Sequence, residues 1–269
     1  MEMTELYRLI ELQEEIVEKL EAVKSQMDLP ALEEKIAGMM EISTAHQSYT
    51  DLLELLGEDE GSIKMLYCQL EGARRDYDRY VQRGISKEVY VDTMKCFTRF
   101  IRECGEKHDG KLFYDRAYWS YRQVAMTLFR VGALEYEFRK HEELDALTIH
   151  IPSDADFSPA SIDASLAAAD EMFKACFPEY KSAFFMCDSW LLSPTLQKLL
   201  PETSNIVKFQ KRFDMYRVND EKNACMNWVF QCGNDVDYAT LPEKTSLQRN
   251  IKAHLLGGGI VGTGYGIIR

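Results

Sequence analysis

Apolar positions in the first hundred residues recur at three- and four-residue steps, the period of a helix with one buried face. Leu6, Leu9, Ile10, Leu12, Ile16, Val17, Leu20, Val23 and Met27 follow this spacing and predict one long first helix. Pro30 suits the opening turn of a second, Ala31 to Met40, where it has no needed N–H to lose. A third is expected near Gln47 to Leu56, stopping at Gly57. Ser62 is the expected cap of a fourth, with Ile63, Leu66, Tyr67, Leu70, Tyr77, Tyr80 and Val81 on one face and Gly84 as its stop. Ser86 is the expected cap of a fifth, with Val89, Phe97, Phe100 and Ile101 turned inward. Heptads break at every helix end, so a packed bundle is expected over a long coiled coil.

The polar stretch "ECGEKHDGK" closes this region, and the pattern changes after Phe113. A boundary near residue 110 divides the chain into a helical domain, 1–110, and a second domain, 111–269. In the second, "YDRAYWSYRQVAM" reads as a helix, while "LFRVGALEYEF" and "ALTIHI" read as strands. A long helix from Pro159 to Phe177 buries Ile162, Leu166, Ala169, Phe173 and Cys176. "SAFFMC" is a short strand buried on both faces. "SPTLQKLL" and "SNIVKFQKRF" read as helices, "FDMYRV" and "MNWVFQ" as strands, and a helix from Ser246 to Leu256 precedes a Gly-rich last strand. The fold class expected is α+β: an all-α domain followed by an α/β layered domain.

Composition narrows the function. The formal net charge of −12 repels a phosphate backbone, which argues against a nucleic-acid partner. No stretch of about 20 apolar residues is present, so no membrane span is expected, and the acidic start lacks the features of a signal peptide. A cytoplasmic location follows as the expectation. Seven cysteines without a CxxC pair fit reduced, mostly buried thiols. The five histidines show no metal-ligand spacing, so no metal is expected. "GGGIVG" at Gly257 to Gly262 imitates a dinucleotide fingerprint. It follows a helix and leaves too little chain for the rest of that unit, so close backbone approach at a sheet is the better reading.

Two features carry chemistry. Leu134, Tyr136 and Phe138 alternate with Glu135, Glu137 and Arg139, and Leu147, Ile149 and Ile151 alternate with Thr148 and His150. If these strands pair antiparallel with apolar faces matched, opposed residue numbers sum to an odd value. One such register sets Leu134 against Ile151, Glu135 against His150 and Glu137 against Thr148. Glutamate beside histidine suits a base and its orienting partner; a cross-strand polar pair without catalytic work is the plainer alternative. The second feature is "IHIPSDADFSPAS", a strand entering a helix through a loop. Helix N-termini attract anions, yet Asp154 and Asp156 occupy the loop.

The run "RAYWSYRQ…FRVGALEYEF", then "IHIPSDADFSPASIDASLAAADEMFKACFPEY", then "CDSWLLSPTLQKLLPETSNIVKFQKRF" resembles a bacterial acyltransferase family. Its members join an N-acyltransferase N-terminal helical domain to a GNAT-like C-terminal domain. "HIP", "FPEY", "SWLL.P" and "SNI..F" occur in that order; the resemblance covers about Phe113 to Arg269 well and the N-terminal part by helical character and domain order. It implies a GNAT-like domain with a mixed central sheet, and transfer of an acyl group from acyl-coenzyme A to an amine or peptide acceptor.

By that resemblance the cofactor strand is Leu147 to Ile151, its splayed neighbour is Ser182 to Cys187, and the pyrophosphate meets the helix beginning at Pro159. The implied coenzyme A contacts are Ile149, Ile151, Ser158, Ala160 and Ser161. Glu135 or Glu137 is the implied base with His150 nearby, and Asp188 and Ser189 position the acceptor. The chain departs from the general GNAT loop "Q/RxxGxG/A": "SDADFSPAS" has no glycine and no cation. A self-capped helix, with Ser158 as cap and Pro159 in the first turn, stands beside backbone binding of coenzyme A as a reading. A binding or scaffold module that lost the cofactor is accordingly the alternative to an enzyme. The tyrosine that often serves as general acid is absent from "LLSPTLQKLL".

Overall fold

The structure is a computed structural model that describes residues 1–108, 114–180 and 183–268. The expected boundary near residue 110 and the start of the expected strand at Ser182 lie outside the described residues. The chain divides into two units, residues 1–137 with 168–178, and residues 138–167 with 179–269.

The first unit opens with α1 (Met3–Leu9) and α2 (Glu14–Lys24). The apolar stripe predicted one helix here; Glu11 takes a left-handed φ of 57° and breaks it. Both pieces still bury the stripe, through Leu6, Ile10, Ile16, Leu20 and Val23. The bundle continues with α3 (Leu29–Met39), where Asp28 accepts from the Ala31 N–H and Pro30 sits in the first turn, and α4 (Ala45–Leu55). Next is the central helix α5 (Ile63–Arg83). Ser62 does not cap it: Ser62 has φ 57° and no capping bond. Asp59 does the work, accepting from the N–H groups of Lys64 at 2.8 Å and Met65 at 2.9 Å. Helices on either side of it in the chain pack against α5, so it buries far more than one stripe, including Met65, Cys68 and Gln69, while Val81 points outward. Gly84, with φ 76°, closes it in the left-handed conformation that glycine adopts without Cβ strain.

Ser86 caps α6 (Lys87–Met94) through the Val89 N–H, and a break at Lys95 separates it from α7 (Cys96–His108), where one helix was expected. Tyr90, Thr93 and Met94 are the buried residues of α6, and Val89 is only half-buried. After α8 (Ala117–Val124), the segment read as one strand is a hairpin, β1 (Leu128–Val131) and β2 (Leu134–His141). Gly132, at φ 62°, turns it and sets Val131 against Leu134. The hairpin's apolar face meets the end of the long helix α9 (Pro159–Cys176) through ring contacts of Phe129 and Tyr136 with Phe173.

The second unit holds β3 (Leu144–His150), β4 (Phe184–Ser189), α10 (Thr195–Leu199), α11 (Asn205–Gln210), β5 (Asp214–Asn219), α12 (Met226–Val229), α13 (Ser246–Leu256) and β6 (Thr263–Ile268). "MNWVFQ" is helical where a strand was expected: Met226 and Phe230, four apart, both enter a small core with Leu241, Ile251 and Leu255. The six strands make one mixed sheet in the order β1-β2-β3-β4-β6-β5. A two-residue turn, Glu142 and Glu143 with φ 47° and 68°, joins β2 to β3. Positive φ at both positions marks the primed hairpin turn, which sets His141 against Leu144. Lys140 and Asp145, one step further, are ion-paired at 2.6 Å.

The Gly-rich tail is a close-approach device. A Cβ on Gly264 would stand 2.2 Å from the Leu192 carbonyl oxygen, and one on Gly262 2.2 Å from that of Asn219. Only glycine lets β6 pass so near these backbones.

Candidate functional site

Two parallel strands at the centre of the sheet come apart. β3 and β4 pair at Ala146↔Phe184, Leu147↔Phe185 and Thr148↔Met186. β3 runs on to His150 and β4 to Ser189, with no further pair between them among the described residues. β4 stays bound to its other neighbour, β6, through Cys187↔Gly266, Asp188↔Tyr265 and Ser189↔Gly264. The gap therefore opens on the β3 side, beyond Thr148 and Met186. Beyond that pair the facing edges of β3 and β4 are no longer in one ladder, and such an edge is where an extended ligand can pair in the manner of an added strand. Ile149 is buried in β3, and Ile151 follows the strand end.

The loop after β3 ends in α9. Here Asp156 occupies the helix start: it accepts from the Ser158 N–H at 3.0 Å, from the Ser158 hydroxyl at 3.1 Å and from the Ser161 hydroxyl. Those bonds, the Ser161 one first, hold its carboxyl below the usual range. The Ser158 hydroxyl accepts from the Ser161 N–H at 3.3 Å, so Ser158 is the cap the sequence indicated. An anion does sit at this N-terminus, and it is the chain's own. Ser158 and Ser161 spend their side chains on it, while Ala160 is exposed beside them.

Parallel partners share a sheet face, so Thr148 and Met186 lie on one side, with Asp188, two residues on, and Tyr265 opposite it. Thr148 is fully buried and its hydroxyl makes no hydrogen bond. Leaving a buried polar group unmatched costs about 1–3 kcal/mol. Asp188 is exposed, 3.8 Å from the Arg139 guanidinium. The Arg217 guanidinium lies 5.0 Å from the centre of the Tyr265 ring, and the rings of His141 and Tyr216 meet at 5.3 Å. Burial first, then the charge of Asp188, pushes the Tyr216 hydroxyl above its ordinary pKa. Ser189 has a local task, accepting from the Leu191 N–H at 3.2 Å to start the 3₁₀ turn Trp190–Leu192.

The two glutamates of β2 belong to the first unit and are ion-paired there. Arg99 of α7 donates to Glu135 at 2.6 Å, with both side chains about 5% exposed or less. Arg122 of α8 lies 3.2 Å from Glu137. Neither arginine was singled out from sequence, because a helical arginine declares nothing about the strand it will meet. His150 ends β3 in the second unit, half-buried. Among the described residues no group of three His, Cys, Asp or Glu side chains is placed to hold a metal ion. No helix among them is long and apolar enough to cross a membrane.

Residues 1–126 match the N-acyltransferase N-terminal domain, and residues 128–268 match the GNAT-like C-terminal domain. The chain belongs to this GNAT-like family. Solved structures share its fold. An acyltransferase in complex with decanoyl-CoA and teicoplanin is 24% identical at a TM-score of 0.69, over 75% of this chain and 64% of that one. A mutant acyltransferase in complex with octanoyl-CoA is 21% identical at a TM-score of 0.79, over 99% of this chain and 87% of that one. The GNAT-like chain thus spans about two thirds of the length of the first of these relatives. No curated protein matches it.

Proposed function

We propose that this GNAT-like protein transfers an acyl group from acyl-coenzyme A to an amine on a small-molecule or peptide acceptor. The parting of β3 and β4 beyond Thr148 and Met186 carries the reading, because it offers strand backbone beside a helix N-terminus. The pantetheine arm would pair with β3 backbone near Ile149 and Ile151. The pyrophosphate would take the N–H groups of Ser158, Ala160 and Ser161. For this Asp156 must turn away, since its carboxylate holds that place. The solved relatives add support: one was crystallised with decanoyl-CoA and the glycopeptide teicoplanin, another with octanoyl-CoA. An acidic protein also draws a cationic amine toward it.

In the reaction, the amine nitrogen attacks the thioester carbon and the coenzyme A thiolate leaves. We assign removal of the amine proton to Glu135 or Glu137, with His150 as their partner, and positioning of the acceptor to Asp188 and Ser189. Arginine pairing of both glutamates is the fact this assignment must overcome.

The second reading, a binding module without coenzyme A, draws on Asp156 alone. Calorimetric titration with octanoyl-CoA separates the two. If coenzyme A binds, D154N/D156N should bind it more tightly than the natural chain, and the gain should shrink as salt shortens the Debye length to about 8 Å at physiological ionic strength. No heat from either protein at millimolar ligand removes the acyltransferase reading and leaves the module.

A further inference from the structure

We propose that the Thr148 hydroxyl donates a hydrogen bond to the carbonyl oxygen of the bound acyl thioester. The inference rests on the acyl-coenzyme A reading above and names a residue that the pattern of the site does not otherwise use.

Among the described residues of the second unit, three buried side-chain oxygens make no hydrogen bond: Thr148 Oγ1, Ser193 Oγ and Gln210 Oε1. Gln210 has a visible structural task, since its amide donates to the carbonyls of Leu191 at 2.7 Å and Ser193 at 3.0 Å and ties the turn after β4 to α11. Ser193 lies within that same turn. Thr148 has no such task. It stands in the middle of the sheet, where valine has the same shape and no polar atom to bury. A hydroxyl kept there without a partner in the folded chain is a group waiting for one.

Its position says which partner. Thr148 and Met186 are the last pair before β3 and β4 part, so the Thr148 side chain rises from the sheet at the apex of the gap through which the thioester would reach its acceptor. When the amine attacks, the carbonyl π electrons move onto the oxygen, and they return as the thiolate departs. A neutral donor at that oxygen favours the charged intermediate without itself gaining or losing a proton. In a buried place such a bond is worth more than in water. Asp188 is the charged residue on this face of β4, with Arg139 3.8 Å from it. Neither replaces the hydroxyl: a carboxylate cannot donate, and the Arg139 side chain is half-exposed whereas Thr148 is buried.

The test uses the full chain and octanoyl-CoA carrying carbon-13 at its carbonyl. Calorimetry comes first; if the natural protein does not bind this ligand, the acyl-coenzyme A reading fails and takes this inference with it. With binding established, infrared spectra of the bound ligand should show the carbonyl stretch lowered from its free value. T148V should return it toward the free value, with affinity changed less than about threefold, and T148S should keep it lowered. T148V should also melt no lower than the natural protein, and higher by about 2–4 °C if the unmatched hydroxyl is a burden of ordinary size. An unchanged carbonyl stretch in bound T148V, or a clear fall in its melting temperature, would overturn the inference; the second outcome would mean that the hydroxyl serves the fold.

Discussion

Replacing Glu135 by glutamine tests what this residue is for. Glu135 Oε1 accepts from Arg99 Nη2 at 2.6 Å, and the two side chains are 4% and 5% exposed. Removing one partner of a buried ion pair leaves the other charge in a poor solvent and costs about 3–5 kcal/mol. Glu103 lies 3.8 Å from the Arg99 Nε, with 18% of its side chain exposed, and takes up part of the orphaned charge. Glutamine also keeps one acceptor oxygen. Both effects argue for the lower end, about 3 kcal/mol. For a unit of this size that lowers the melting temperature by about 6–12 °C. Replacing both partners, as R99M/E135L, should recover most of the loss, because no charge is then left buried. Thermal unfolding of the three variants, with octanoyl-CoA turnover measured alongside, reads the result. A glutamine variant that melts within about 2 °C of the natural protein would refute the ion-pair argument. If that same variant lost turnover, Glu135 would stand as the base.

Further outcomes follow from the helices and the tail. G264A should destabilise by about 3 kcal/mol in urea unfolding, since its Cβ meets a backbone oxygen that cannot step aside. D59A should cost about 1–2 kcal/mol while S62A stays within about 0.5 kcal/mol, because Asp59 holds the first N–H groups of α5. Asp76 is fully buried with one carboxylate oxygen unbonded, and burial pushes its pKa up to about 8 despite Arg79. Folding then favours its protonated form, so stability should fall as pH rises from about 4 to about 8, and D76N should flatten that fall in melts taken across the range. A domain boundary near residue 110 calls for first cleavage between Gly105 and Lys111 under limited proteolysis; cleavage starting elsewhere would count against it.

The helical domain was legible because periodicity reports burial. Its errors share one physical origin. The stripe from Leu6 to Met27 keeps its spacing across Glu11, although Glu11 turns the chain through positive φ. An apolar stripe records which side chains face the core and is silent on whether the backbone between them is continuous. The same holds at Lys95, where α6 ends and α7 begins with the inward residues still in step. Ser62 stands next to the helix and caps as well as aspartate by type, yet Asp59 reaches the helix start because the chain doubles back through Gly61, at φ 66°, and Ser62. "MNWVFQ" failed for a different reason: six apolar-rich residues fit a strand or a short helix equally well, and only the surrounding core decides.

The candidate site was legible only where its signal is local. The alternation around Glu135 and around Thr148 and His150 identified polar positions on strands, and "DFSPAS" identified a capped helix start. What alternation cannot report is which partner each polar group will meet. Glu135 found Arg99 on a helix read as part of the bundle, and Glu137 found Arg122 on the helix read as opening the second domain; neither spacing names its strand partner. Asp156 was counted as a repulsive charge near a phosphate, whereas it stands in the phosphate's place and takes three hydrogen bonds there. Thr148 met nothing at all. Saturation of a polar group is a property of the packed chain, so it cannot be read from spacing, and the unsaturated group is the one that packing by itself leaves unexplained. That reverses the order of interest suggested by residue type: the two glutamates are occupied, and the inconspicuous threonine, at the last pair before β3 and β4 part, carries the hydroxyl that packing leaves unmatched.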